Sequence, residues 1–150
     1  MSARTGPRFK KLGVTESRAL LRRNNVGRMA ISFHDRVDIL PIHYVYANGW
    51  VYGRTSLGAK LVTITHSRWV AFEVDEIDGL FDWRSVVIHG GVYLLRPDGS
   101  PAEVAARLRA IKLLQQLIPG TMTAEDPVPF RDIVFRIHVD DISGRAVKSK

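Results

Sequence analysis

The sequence contains no cysteine. That excludes disulfides, thiolate metal ligands and thiol redox chemistry, and it suits a reducing compartment. No apolar run approaches the roughly 20 residues that a membrane-crossing helix needs. The basic residues near the start, up to Lys11, are not followed by the apolar stretch of a signal peptide. A cytoplasmic protein that does not enter a membrane is therefore expected. Repeats and low-complexity tracts are absent as well. The five histidines stand at positions 34, 43, 66, 89 and 138, without the His-x-x-x-His or Glu-x-x-His spacing of a metal site. No Ser-His-Asp arrangement can be assembled, and Glu73, Asp75, Glu76 and Asp78 read as a solvated acidic edge rather than a catalytic pair.

What is present is an ordinary globular composition. A chain of 150 residues, 45% hydrophobic and 25% charged, can bury one core without staples. The net charge of +7 raises the question of nucleic acid. The cations are scattered, however. Arg4, Arg8, Lys10 and Lys11 lie near one end, Arg145, Lys148 and Lys150 near the other, and Arg18, Arg22 and Arg23 on a short helix. No basic strand is interleaved with aromatics for base stacking. Nucleic acid is thus not the expected partner. A basic surface that attracts anionic cofactors or small substrates is preferred.

Hydrophobic periodicity gives the organisation. Residues 1–13 read as a flexible basic tail, 14–146 as one domain, and 147–150 as a second tail. Thr15 can cap a short helix through Leu21 that stops at Asn24-Asn25. Met29, Ile31 and Phe33 alternate as a strand, and His34-Asp35-Arg36 turns the chain. A second strand runs from Val37 to Tyr46, where Pro41 marks an edge or an irregularity because it has no N–H for the ladder. Asn48-Gly49 signals a hairpin into a third strand, Trp50 to Arg54.

A short helix is expected after Leu57-Gly58, with Leu61 and Ile64 inward. Trp69 to Asp75 is the fourth strand, and Glu76 to Asp82 an acidic loop. Trp83 to Arg96 is a long fifth strand whose Gly90-Gly91 suggests a bulge or bend. The clearest helix opens with Ser100 as N-cap, Pro101 in its first turn and Glu103 closing a capping box; it runs on through Val104, Leu108, Ile111 and Leu114 to Pro119-Gly120. Ile133, Phe135, Ile137 and Val139 form a sixth strand. The fold expected is mainly β: a six-stranded, mostly antiparallel barrel with one long and two short helices.

Arg54, Thr55 and Ser56 leave the third strand, and Lys60 sits in the first turn of the helix opened by Gly58. A guanidinium, two hydroxyls, an ammonium and the unpaired N–H groups of a helix start make a phosphate cradle. A solvated basic turn with a hydroxyl cap fits the same residues.

The order of motifs resembles a known family. Asp38-Ile39-Leu40-Pro41-Ile42-His43-Tyr44-Val45 comes first, then Val51-Tyr52-Gly53-Arg54-Thr55-Ser56-Leu57-Gly58-Ala59-Lys60. Trp69-Val70-Ala71-Phe72-Glu73-Val74 and Trp83-Arg84-Ser85-Val86-Val87-Ile88-His89-Gly90 follow. Together with the ending Phe135-Arg136-Ile137 through Ile142-Ser143-Gly144-Arg145, this resembles the pyridoxamine 5′-phosphate oxidase-like FMN-binding split barrels, in particular their nitroimidazole-resistance-type branch, over about residues 14–146.

The resemblance implies bound FMN. Its phosphate would lie on Arg54, Thr55, Ser56 and Lys60, and its ring along the backbone of Leu40, Pro41, Ile42 and His43. Trp83 and Ser85 would approach the flavin of a partner subunit, which implies a homodimer with flavin sites at its interface. The activity implied is an oxidoreductase of small planar or electron-poor substrates acting through the flavin N5, so no side-chain nucleophile or base is required. Trp83 as a barrel-closing aromatic and Ser85 as an ordinary strand serine fit equally well. Pyridoxamine phosphate oxidation itself is not expected, because the basic C-terminal substrate segment is missing and Arg145 matches it only in part. Relatives that take a deazaflavin coenzyme, or that bind haem or flavin without turnover, are the alternatives.

Overall fold

The computed structural model describes residues 6–56 and 68–149. In chain order these hold β1 (Arg8–Leu12), α1 (Val14–Arg23), β2 (Val26–Phe33), β3 (Arg36–Ala47), β4 (Trp50–Thr55), β5 (Trp69–Gly79) and β6 (Asp82–Leu95). Then come α2 (Pro101–Leu117), β7 (Ile133–His138) and β8 (Asp141–Lys148). Each strand pairs antiparallel with its neighbours. The ring runs β2-β3-β4-β7-β6-β5 and returns to β2, so six strands close into a barrel. Closure removes the open edges that a sheet would otherwise expose. The ring strands are the six that alternation predicts; β8 is added outside on β6, and β1 on β8.

Two strands change partners half way, which splits the barrel. β3 pairs with β2 as far as His43 and with β4 from Tyr44 onward. β6 pairs with β8 up to His89 and with β7 from Val92. Pro41, opposite Arg28, lies in the half of β3 with a strand on one side only among the described residues. A missing N–H is tolerated there. Gly90 and Gly91 mark the switch in β6, but without a bulge: their register with Val70 and Trp69 is unbroken. A Cβ on Gly90 would run into the backbone carbonyl of His138. The glycine is therefore required by the close approach of the last residue of β7.

The core fills the ring. Met29, Ile31, Leu40, Ile42, Tyr44, Val51, Phe72, Val74, Val86, Ile88, Phe135 and Ile137 are buried from all six strands. Helix α1 adds Leu20 and Leu21, which are fully buried. Tyr44 and Phe72 meet edge-to-face with centroids 5.0 Å apart. On the outside of β4, β6 and β7, a second cluster of Tyr52, Leu95 and Val134 packs against Ala110 of α2. The hairpin turns behave as their residues dictate: φ is +51° and +82° at Asn48-Gly49, and +47° and +63° at His34-Asp35. Positive φ at both central positions is the type I′ geometry that fits strand twist.

Several expectations are corrected. The tails are partly strand: β1 holds Arg8–Leu12 against Gly144–Lys148, and β8 continues through Val147 and Lys148. β1 was not visible in the pattern because its first four residues are all exposed, so pairing rather than burial orders it. The expected acidic loop shrinks to a turn at Leu80-Phe81, since β5 continues to Gly79 and β6 begins at Asp82. The bulge falls here, between Ile77 and Gly79. Helix α1 begins after Gly13 with no side-chain cap, so Thr15 is inside it.

The capping box of α2 forms by half. Ser100 Oγ accepts from the Glu103 N–H at 3.2 Å, but the Glu103 carboxylate accepts the Arg96 N–H at 2.7 Å. Leu108, expected in the buried stripe, is 57% exposed. The helix expected after Leu57-Gly58 lies outside the described residues. Among the described residues, no helix is long and apolar enough to cross a membrane.

Candidate functional site

Strand alternation sorts the predicted ring-contacting residues. Leu40 and Ile42 point into the core, at 8% and 4% exposure, while Pro41 and His43 face outward and are exposed. Only backbone and the outward pair are thus available to a ligand. Beside them on β4 lies Arg54, buried at 6% exposure. It is held by Asp126, 72 residues away, through a two-pronged ion pair with N–O distances of 2.5 and 3.0 Å. A guanidinium fork matches a carboxylate in this way and fixes its own plane.

Asp126 is in turn fixed. Its Oδ2 also accepts the Met122 N–H at 2.8 Å and its Oδ1 the Val128 N–H at 3.0 Å. The Arg54 hydrogen bonds, helped by those two N–H groups and opposed by burial, hold this carboxyl well below the usual range. Met122 takes a φ of +59°, a left-handed conformation that a non-glycine residue adopts only when its surroundings hold it.

His43, Arg54 and Arg131 line one recess, walled by Leu114, Thr121 and Val128. Its free volume is about 10 Å³, the room of one water. A ligand would therefore meet these groups at the mouth rather than inside. Thr55 is half-buried at the end of β4 and Ser56 is exposed just beyond it. Lys60 lies outside the described residues.

Trp83 and Ser85 are on the other side of the barrel wall. From β3 to β6 the wall crosses β2 and β5, three strand steps or about 14 Å. Within one chain they do not join His43 and Arg54. Ser85 sits between Asp75 and Arg145 in register. Trp83 meets Phe9 edge-on at 6.5 Å and lines an open groove of about 380 Å³ with Lys10, Arg84 and Lys148.

Asp78 is exposed, as a solvated edge would be, but Glu73, Asp75 and Glu76 are half-buried and paired. Arg28 Nη1 lies 3.2 Å from both Glu73 and Asp75 on the outer face. Burial, then the hydrogen bond and charge of Asp75, push the Glu73 carboxyl up to about 7 against the pull of Arg28. Glu76 is instead bonded to Arg23 and Asn24, which hold it down at about 2. Among the described residues, no three His, Asp or Glu side chains converge so as to hold a metal ion. Asp126 and Arg131 were missed by sequence reasoning. Each stands in a Pro-containing stretch with no pattern, and only the fold carries that stretch to β4.

The family model described as pyridoxamine 5′-phosphate oxidase matches residues 14–146. The chain belongs to the pyridoxamine 5′-phosphate oxidase family. No curated protein matches it. Among solved structures it is similar to an FAD-binding protein from Mesorhizobium loti, at 24% identity and TM-score 0.75, over 95% of this chain and 99% of that one. It is also similar to the FAD-binding protein from Mycobacterium smegmatis, at 28% identity and TM-score 0.64, over 91% and 98%. A third similar structure is a proposed 5-nitroimidazole antibiotic resistance protein from Bacteroides thetaiotaomicron, at 12% identity and TM-score 0.69, over 95% and 89%. At 24% and 12% identity the first and third likenesses are ones of fold alone.

Proposed function

We propose that this member of the family binds a flavin, FMN by preference, and serves as an oxidoreductase of small planar or electron-poor substrates. The observation that carries this reading is the buried, oriented Arg54 beside Arg131, at the end of β4 and next to the outward backbone of Pro41 and His43. Arg54 suits a phosphate because its plane is preset and five N–H donors are available, of which the fork to Asp126 takes two. Arg131 adds a second cation at the same mouth. Thr55, Ser56 and Lys60 would complete the cradle. Backbone groups of Leu40, Pro41, Ile42 and His43 would orient the ring edge. A bound flavin supplies hydride or single-electron transfer at its N5.

FAD in place of FMN is the second reading, favoured by the FAD-binding relatives from Mesorhizobium loti and Mycobacterium smegmatis. A homodimer belongs to the same proposal. Val37 and Ile39 stand outward on β3 at 64% and 66% exposure, beside Ala30 of β2, an apolar stripe that the monomer leaves open. A two-fold contact across the barrel wall would bring Trp83 and Ser85 of one subunit to the flavin of the other.

The test is an absorbance spectrum of the purified protein before and after FMN is added and the excess removed. The two visible-region absorption bands of an oxidised flavin are expected. Chromatography of the released pigment distinguishes FMN from FAD, and light scattering reads the dimer. If no flavin is retained from either source, the proposal is overturned, and a deazaflavin coenzyme and haem become the next ligands to try.

A further inference from the structure

We propose that Asp126 is the positioning residue of the phosphate end of the site: it aims Arg54 and, through its loop, holds Arg131. This rests on the flavin reading above and goes beyond it, since Asp126 touches no ligand in that reading. The first argument is saturation. Each Asp126 oxygen accepts one Arg54 N–H and one backbone N–H, so among the described residues the carboxylate has four partners, one for each of its lone-pair sites. Its side chain is 2% exposed. Four converging donors on one carboxylate fix the guanidinium in rotation as well as in position, which a lone charge contact would not do.

The second argument is the rigidity of the segment that carries Asp126. It is tied to α2 by the Gln115 side chain on the Thr121 carbonyl at 3.0 Å, and Thr121 Oγ1 donates to the Ile118 carbonyl at 2.6 Å. Successive turns follow: Thr123 N–H to Gly120, Asp126 N–H to Thr123 and Arg131 N–H to Val128, at 3.0, 3.1 and 3.0 Å. Asp126 is the point at which this chain of turns is bolted to β4. Without it, Arg54 loses its plane and Arg131 loses the fixed distance between the two cations. The charge effect runs the other way, because removing a carboxylate beside a phosphate site relieves repulsion. Loss of affinity on removing a negative charge would therefore report geometry and not electrostatics.

The experiment compares FMN with riboflavin, which differ by the phosphate alone, in wild type and Asp126→Asn, by quenching of flavin fluorescence. The expected result is an FMN dissociation constant weakened by about ten- to hundredfold, the range for one or two lost charge-assisted hydrogen bonds, with riboflavin unchanged. A parallel loss for both flavins would mean that Asp126 only supports the fold, and overturns the proposal. So does unchanged or tighter FMN binding. If Asp126→Asn does not fold, Asp126→Glu carries the same test, since it keeps the charge and displaces the fork by one methylene. Wild type that binds neither flavin overturns the parent reading and this one with it, whereas a bound flavin with unaltered phosphate selectivity overturns this one alone.

Discussion

The hydroxyl of Tyr44 donates to the backbone carbonyl of Leu21 at 2.7 Å, and through that bond α1 is locked to the barrel. Leu21 lies in the last turn of α1, where carbonyls have no partner within the helix. Tyr44 is fully buried in β3, and its other end packs on Phe72. Burial, and then the negative charge of Glu76, push its pKa upward, so the phenol stays a donor at every ordinary pH.

Tyr44→Phe keeps the ring and removes the donor. The Leu21 carbonyl is then buried without its partner, which costs about 1–3 kcal/mol. The urea midpoint should fall with the slope unchanged. Because Tyr44 points inward and His43 outward, flavin retention should survive under native conditions. An unaltered midpoint would show that a water or another donor replaces the hydroxyl.

Glu76 joins the same corner from β5. Arg23 grips it at 2.7 Å through two nitrogens, and Asn24 adds a third bond at 2.7 Å. Its pKa falls from 4.5 to about 2, mainly through the Arg23 hydrogen bond. A carboxyl depressed in the folded state contributes stability above its unfolded pKa and loses it as pH falls. Stability should therefore drop between about 4.5 and about 2, and Glu76→Gln should flatten that part of the curve while lowering stability at pH 7. Circular dichroism melts across the acid range read both effects. Parallel curves for the two proteins would rule out Glu76 as the source.

These pairs explain what was legible in the sequence and what was not. The ring strands carried period-two alternation because one face of each is the core, so Met29, Ile31, Phe72 and Ile137 announced themselves. Asn48-Gly49 named its turn, and Ser100 its helix, because those signals are local. β1 and β8 lie outside the ring. There the buried positions are Gly144, Ala146 and Val147, two of them small and the last two adjacent, so no alternating face stands out, and β1 is basic and exposed. The site divides along the same line. Arg54 and His43 were legible on strands, whereas Asp126 acts across 72 residues from a segment whose order comes from backbone turns. No periodicity records such a contact.

Glu73 offers the opposite sign to Glu76 on the same strand. It sits on the outer face of β5, opposite Arg28 of β2 and Val87 of β6, with Asp75 two residues on. Arg28 reaches both carboxylates at 3.2 Å, but one cation cannot compensate two partly buried anions. The folded pKa is thus raised from 4.5 to about 7, by burial first and then by Asp75. Between those values the folded chain binds more protons than the unfolded one, so stability falls as pH rises through the window. Above about pH 7 the full penalty is present. Glu73→Gln removes the charge and keeps the shape, so at pH 8 it should melt higher than wild type. Near pH 4 the two should coincide, because Glu73 is then protonated in both states. A Glu73→Gln protein that melts lower than wild type at pH 8 would show that the ion pair with Arg28 outweighs the repulsion from Asp75.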